Sequence, residues 1–220
     1  MKKPRAKKSL NMDYEKALSQ KGFSFICGVD EVGRGPWAGP IVAVATIIMN
    51  HESRILNLPI NDSKRLTEAR REEIFEIVKD DKNIHHSVAF ISAEEIDKIG
   101  IGVANHLVLK KAVEGLSQKP DCVLVDGFVI NDLEIKQEKI IKGDAKIFSI
   151  ALASIIAKVS RDRYMRELAK KYPGYRFELH DIESDAPGEK FDYLLMSDLM
   201  SSLWDVQAGL AGTRKFCQRN

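Results

Sequence analysis

The sequence predicts an α/β domain in which a mixed β-sheet is flanked by helices, with a further helical appendage at the C-terminus. Three observations predict it. Short apolar runs of buried-strand type are interspersed with longer stretches of helical spacing. Three of the apolar segments end in an acid at or beside a glycine, which gathers carboxylates at one place if those segments share a sheet. The chain has 220 residues, 44% hydrophobic and 30% charged, which suits one soluble domain with a sizeable core.

Residues 1–20 read as a basic, flexible N-terminal extension, because Lys2, Lys3, Arg5, Lys7 and Lys8 crowd its start. Residues 21–180 carry the main domain, and residues 181–220 an acidic, helical C-terminal segment. Phe25-Ile26-Cys27-Gly28-Val29 is the first strand, running into Asp30-Glu31 and then the turn Gly33-Arg34-Gly35-Pro36. A strand sends neighbouring side chains to opposite faces, so both acids serve one site only if the chain leaves strand geometry at Glu31. The spacing predicts a second strand over 41–49. A helix follows over 67–78, with Thr67 as N-cap and Arg70 and Arg71 on its polar side. Residues 86–91 read as a third strand, and 93–116 as a helix interrupted near Gly100 and Gly102. Cys122-Val123-Leu124-Val125 is another buried-strand run, closed by Asp126-Gly127. Ile140-Ile141-Lys142-Gly143-Asp144 is the third apolar segment that delivers an acid. A long helix then begins near Ile147 and ends at Tyr172-Pro173-Gly174.

Carboxylates at the ends of buried strands are costly unless a cation neutralises them. Asp30, Glu31, Asp126 and Asp144 are therefore candidate metal ligands, although Asp30-Glu31 alone reads equally well as a solvated acidic pair in a loop. An oxygen-only donor set without a Cys or His cluster favours magnesium or manganese over zinc. Such a site suits phosphodiester chemistry, in which two metal ions clamp the attacking and leaving oxygens. His85 and His86 read as strand-edge polar residues, because no partner stands at ligand spacing. The glycine-rich loop lacks the dinucleotide fingerprint, and Pro36 removes an amide from it. In the long helix, Ser154, Lys158 and Arg161 fall close together in helical phase and form a candidate phosphate-binding face. The plain alternative is a charged surface helix, since Asp162 and Glu167 are interspersed.

The motifs, in their order along the chain, resemble the ribonuclease HII family (type 2 ribonuclease H). They are Gly28-Val29-Asp30-Glu31-Val32-Gly33-Arg34-Gly35-Pro36-Trp37-Ala38-Gly39-Pro40, Asn61-Asp62-Ser63-Lys64-Arg65-Leu66-Thr67, Val125-Asp126-Gly127 and Lys142-Gly143-Asp144-Ala145-Lys146, followed by Ala151-Leu152-Ala153-Ser154-Ile155-Ile156-Ala157-Lys158-Val159-Ser160-Arg161-Asp162-Arg163 and Tyr172-Pro173-Gly174-Tyr175. The resemblance spans residues 25–180. It implies a ribonuclease H-like fold and a metal-dependent endonuclease that cuts the RNA strand of RNA/DNA hybrids. It also implies incision of duplex DNA 5′ to an embedded ribonucleotide, leaving 5′-phosphate and 3′-hydroxyl ends. Asp30, Glu31, Asp126 and Asp144 match the family's acidic metal site, and Gly33-Arg34-Gly35 matches the stretch that touches the ribose 2′-hydroxyl. Ser63, Lys64, Ser154, Lys158 and Arg161 are the further expected substrate contacts. After His180 the family continues with Lys-Gly-Tyr, where this chain reads Asp181-Ile182-Glu183-Ser184-Asp185-Ala186-Pro187-Gly188. Loss of that segment keeps a second class open, a nucleic-acid-binding or protein-interaction module with weakened catalysis.

The formal charge of +2 conceals an asymmetry. Without the five basic residues of the first eight positions, 29 of the 34 Lys and Arg face 32 acids. Attraction to nucleic acid must then come from a local patch or from the tail. Cys27, Cys122 and Cys217 show neither even pairing nor metal spacing, which points to a reducing cytoplasm. No apolar run is long enough for a membrane, and a monomer is expected. Phe191, Leu194, Leu195, Leu199, Leu203 and Trp204 recur at helical spacing, as in a helix packed on the domain or one that docks on a protein partner.

Overall fold

The computed structural model describes residues 10–36, 38–49, 54–58, 60, 63 and 66–171. The chain divides into two compact units, Met1–Met165 and Arg166–Asn220, and the described part of the second is the end of one helix, residues 166–171. The first unit contains a five-stranded sheet, β1 (Ile26–Val32), β2 (Ile41–Ile48), β3 (Ile84–Ile91), β4 (Cys122–Asp126) and β5 (Lys136–Ile140), in the order β3-β2-β1-β4-β5. β2 pairs antiparallel with β1 and β3, whereas β4 pairs parallel with β1 and β5. The sheet is mixed, as the sequence predicts. The helices are α1 (Asp13–Gln20), α2 (Glu68–Asp80), α3 (Ala93–Ile99), α4 (Ile101–Glu114) and α5 (Phe148–Lys171).

Strand alternation divides the core. On one face Cys27 and Val29 of β1, with Ala43, Ala45 and Ile47 of β2, pack against Val108, Leu109, Ala112 and Val113 of α4. On the other, Val44 and Ile48 of β2 meet Phe148, Leu152, Ile155 and Ile156 of α5 and Ile74 and Val78 of α2. β2 is buried along its whole length, which explains why it reads as a continuous apolar run. A third cluster joins Leu18 of α1 to Ile26, Leu124, Ile147 and Ile150.

Several boundaries follow local chemistry. Thr67 caps α2, its hydroxyl accepting from the Arg70 N–H at 3.3 Å. The break in the 93–116 pattern is at Gly100, whose φ of +80° suits glycine and separates α3 from α4.

Three expectations need correction. β1 does not leave strand geometry at Glu31, because Glu31 pairs with Ala43 and Val32 with Val42 before the turn at Gly33, φ +101°. The apolar segment at 140–144 is the end of an edge strand that begins at Lys136. After Ile140 the chain turns through Lys142, φ +57°, into a short 3-10 turn, Gly143–Ala145. The charged residues Lys136, Glu138 and Lys139 hide that strand because one side of an edge strand faces water. Residues 13–20 are a packed helix with Glu15 and Leu18 buried, and so belong to the folded unit. The basic residues of the extension, Lys64, the Tyr172-Pro173-Gly174 stop and the expected helix in 181–220 lie outside the described residues. Among the described residues no helix is long and apolar enough to cross a membrane.

Candidate active site

The expected acids arrive at one end of the sheet on neighbouring strands. Val29 of β1 is in register with Val125 of β4, so Asp30 and Asp126 each follow by one residue on parallel, adjacent strands. Asp30 is buried, at 7% exposure, and accepts the Glu31 N–H at 2.9 Å. Burial pushes its carboxyl well above the usual range, Glu31 and Asp126 add repulsion, and hydrogen bonds from Ser154 and the Glu31 amide oppose the rise. Glu31 is raised from 4.5 to about 7 by burial; the Arg34 guanidinium opposes this and the charge of Asp126 reinforces it. Asp30, Glu31 and Asp126 thus feel one another's charge although β1 stays extended through both of its acids.

Asp144 comes from the turn between β5 and α5. The Gly143 N–H donates to Asp126 Oδ1 at 2.8 Å, which ties the residue before Asp144 to the β4 acid. A Cβ on Gly143 would stand 2.6 Å from Ile150 Cδ1, so the turn is seated tightly on α5. Among the described residues no group of three or more His, Cys, Asp or Glu is drawn in tightly enough to hold a metal ion as it stands. Carboxylates that repel across a partly buried space stay apart until positive charge offsets the repulsion. The donor chemistry, oxygen-only, acidic and desolvated, fits a hard divalent cation.

The glycine turn after β1 is a braced loop. A Cβ on Gly33 would stand 2.5 Å from the Pro40 carbonyl oxygen and 2.8 Å from Arg161 Nε, whereas one on Gly35 would meet nothing within 4 Å among the described residues. Gly33 therefore closes the loop, and Gly35 leaves its backbone open to a ligand. Ser63 and Ser154 share a hydrogen bond at 2.9 Å, and Ser154 also hydrogen-bonds Asp30, so Ser63 is linked to the acid site through α5.

The open basic face expected on the long helix is not what the structure places there. Arg161 is buried, at 5% exposure, and donates from Nε to the Pro40 carbonyl at 3.0 Å and from Nη2 to the Ala38 carbonyl at 2.8 Å. It braces the glycine loop because its planar fork matches two carbonyls of one turn. Lys158 is largely buried and lies 3.2 Å from Asp162 Oδ1, one helical turn on. Arg163 points away to Glu72 and Glu76 and stacks over Phe75.

Sequence reasoning passes over two residues here. Arg71 donates to the Ser63 carbonyl at 3.0 Å and to that of Leu66, tying both residues to α2. Glu15 reaches Ser149 at the start of α5. Its one local signal is that Glu15 and Leu18 share a helical face, which sets an acid on the apolar side.

A family profile described as Ribonuclease HII matches residues 27–188. A ribonuclease HII of Caldicellulosiruptor bescii is 50% identical over 169 residues, 76% of this chain and 80% of that protein. The crystal structure of the ribonuclease H2 from Pyrococcus horikoshii is similar with a TM-score of 0.66 at 26% identity, over 86% of this chain and 90% of that one. The ribonuclease HII seen in complex with PCNA from Archaeoglobus fulgidus has a TM-score of 0.62 at 25% identity, over 89% of this chain and 97% of that one.

Proposed function

Since this chain belongs to the ribonuclease HII family and is an endoribonuclease that cuts the RNA strand of RNA/DNA hybrids, we propose that Asp30, Glu31, Asp126 and Asp144 form its hydrolytic centre and hold magnesium or manganese. One observation carries this reading: Asp30, buried and bonded by Ser154, feels the charges of both Glu31 and Asp126, and Asp126 is tied to the residue before Asp144. When bound, the ions offset the charge that develops on the phosphate and lower the pKa of the attacking water.

The remaining work belongs to the chain. Ser154 orients Asp30, and Ser63 orients Ser154. Gly33, Arg34 and Gly35 present backbone to the ribose 2′-hydroxyl, the group that tells RNA from DNA. Lys158, largely buried beside Asp162, and Lys64 are proposed as phosphate contacts from their motifs alone. Arg161 contributes indirectly, by bracing the glycine loop. The 2′-hydroxyl is recognised and not consumed, so incision 5′ to an embedded ribonucleotide leaves 5′-phosphate and 3′-hydroxyl ends. His85 and His106 are engaged with Ser117 and Phe128, and no histidine is needed as base. The buried free thiols Cys27 and Cys122 suit a cytoplasmic enzyme, and a monomer suffices for this chemistry. The Archaeoglobus relative's complex with PCNA motivates a protein partner for the acidic segment 181–220.

The absence of Lys-Gly-Tyr after His180 leads us to expect continuous hybrids to be cut better than single ribonucleotides. The test compares a hybrid, a duplex with one ribonucleotide and an all-DNA duplex, in magnesium and in manganese, with fragment ends identified by mass spectrometry. Cleavage confined to the two RNA-containing duplexes, with 5′-phosphate ends, is the expected result. A 2′,3′-cyclic phosphate product would overturn the mechanism, and single-ribonucleotide incision at or above the hybrid rate would overturn the ranking.

A further inference from the structure

Helix α1 precedes residue 27, where the family match begins, yet it grips the segment that carries Asp144 from both sides. Tyr14 Oη donates to Glu138 Oε2 of β5 at 2.7 Å. Its neighbour Glu15 accepts at Oε1 from the N–H of Ser149 at 2.9 Å and from its hydroxyl at 2.8 Å, in the first turn of α5. Glu138 and Ser149 stand on either side of Asp144 in the chain. Leu18, one turn beyond Glu15, is buried with Ile147 and Ile150, and Ile140 packs against the same cluster.

The two polar contacts differ in weight. Glu15 is 2% exposed, and its Oε2 is buried without a hydrogen-bond partner among the described residues. A carboxylate in that position is tolerable because the helix N-terminus offers an N–H and the positive end of its dipole. Tyr14 is 39% exposed, and its bond to Glu138 is a surface contact. Ser149 is also the point where α5 meets the sheet: a Cβ on Gly28 would stand 2.4 Å from the Ser149 carbonyl carbon, and Thr46 Oγ1 donates to the Ser149 carbonyl oxygen at 2.9 Å. Five residues along the helix from Ser149 and two along the strand from Gly28 are nearly the same length, roughly 7 Å. The Ser149–Gly28 and Ser154–Asp30 contacts therefore lie at matching spacing along α5 and β1.

We propose that α1 is a positioning element for the hydrolytic centre: Tyr14 and Glu15 hold the two ends of the Asp144 turn, and Glu15 sets the register of α5 along β1. The proposal rests on the reading of Asp144 as a site acid. Tyr14 and Glu15 touch neither substrate nor cation, and act through Asp144 and Ser154.

Hydrogen exchange of residues 141–149 and steady-state kinetics on an RNA/DNA hybrid, both on the full chain, test it. Glu15→Ala should speed exchange in 141–149 and lower kcat, each by about tenfold, while KM stays within about twofold. Tyr14→Phe should do the same more weakly, and Glu15→Gln should recover most of the loss, because its carbonyl oxygen still accepts from Ser149. Val113→Ala, on the opposite face of the sheet, supplies a variant of similar stability loss that leaves both readouts unchanged. If Glu15→Ala does not fold, Ser149→Ala removes one of the two bonds and is read in the same way. A kcat no lower than that of Val113→Ala at equal stability, or faster exchange spread evenly over the chain, overturns the proposal. Asp144→Asn separates the two readings: full activity there sinks the role of Asp144, whereas loss there and none with Glu15→Ala sinks the positioning role alone.

Discussion

On the face of the sheet that meets α4, β1 presents Cys27 and Val29 to apolar neighbours, and α4 carries one buried polar side chain among the described residues, Asn105. On the opposite face the alternate residues, Gly28 and Asp30, meet α5 at Ser149 and Ser154. Around them lie the buried polar side chains of Glu15, Thr46, Ser63, Lys158, Arg161 and Asp162. A strand places successive side chains on opposite faces, so β1 serves both purposes at once. The α4 face supplies area removed from water, and the α5 face spends some of the resulting stability on groups whose partners must be held in place.

The largest effect that separates the faces is chemical. Asp126→Asn should lower hybrid cleavage by roughly a hundredfold or more, the scale of charge stabilisation by a metal centre, while thermal unfolding and hybrid binding stay near the parent's. Asp30→Asn should behave alike, and activity within a few-fold of the parent would remove either residue from the centre. The converse variant is Leu109→Ala on α4, fully buried. It should cost about 2–5 kcal/mol of stability and leave kcat unchanged at temperatures where the protein stays folded, as denaturant titration and kinetics would show.

A smaller effect tests the charge crowding. Glu31 is raised from 4.5 to about 7 in the folded protein, so its protonated form is favoured there. The metal-free protein therefore keeps this contribution below about 4.5 and loses it as pH rises through about 7. Its melting temperature should fall between about pH 5 and about pH 8, and manganese should raise it more at the higher pH. Glu31→Gln should flatten that dependence. A parent whose melting temperature rises with pH as steeply as the variant's would refute the crowding.

The smallest effect is expected from Arg163→Ala. Its contacts with Glu72, Glu76 and Phe75 are on the outer side of α5. Exposed pairs of this kind are worth about 1 kcal/mol or less, so a slight fall in melting temperature with no change in activity or salt dependence is the expected outcome. A clear change in the salt dependence of hybrid binding would place the phosphate track on that side.

The amino-acid sequence by itself determined the strands β1, β2 and β4, the cap at Thr67 and the break at Gly100, because each rests on interactions between residues close in the chain: an apolar run, a side chain that caps its own helix, a glycine that accepts a positive φ. The family's motifs are legible for the same reason, being short and contiguous. Tertiary structure decided the rest. β5 forms from the charged stretch Lys136–Ile140 only because β4 offers it a parallel edge. Arg161 reads as a surface cation until the loop carrying Ala38 and Pro40 folds over it, more than a hundred residues away in sequence. Glu15 likewise reads as an ordinary helix acid, and its partner Ser149 is 134 residues on. The fate of a buried charge depends on which distant donors the fold brings within about 3 Å, and no local pattern encodes that.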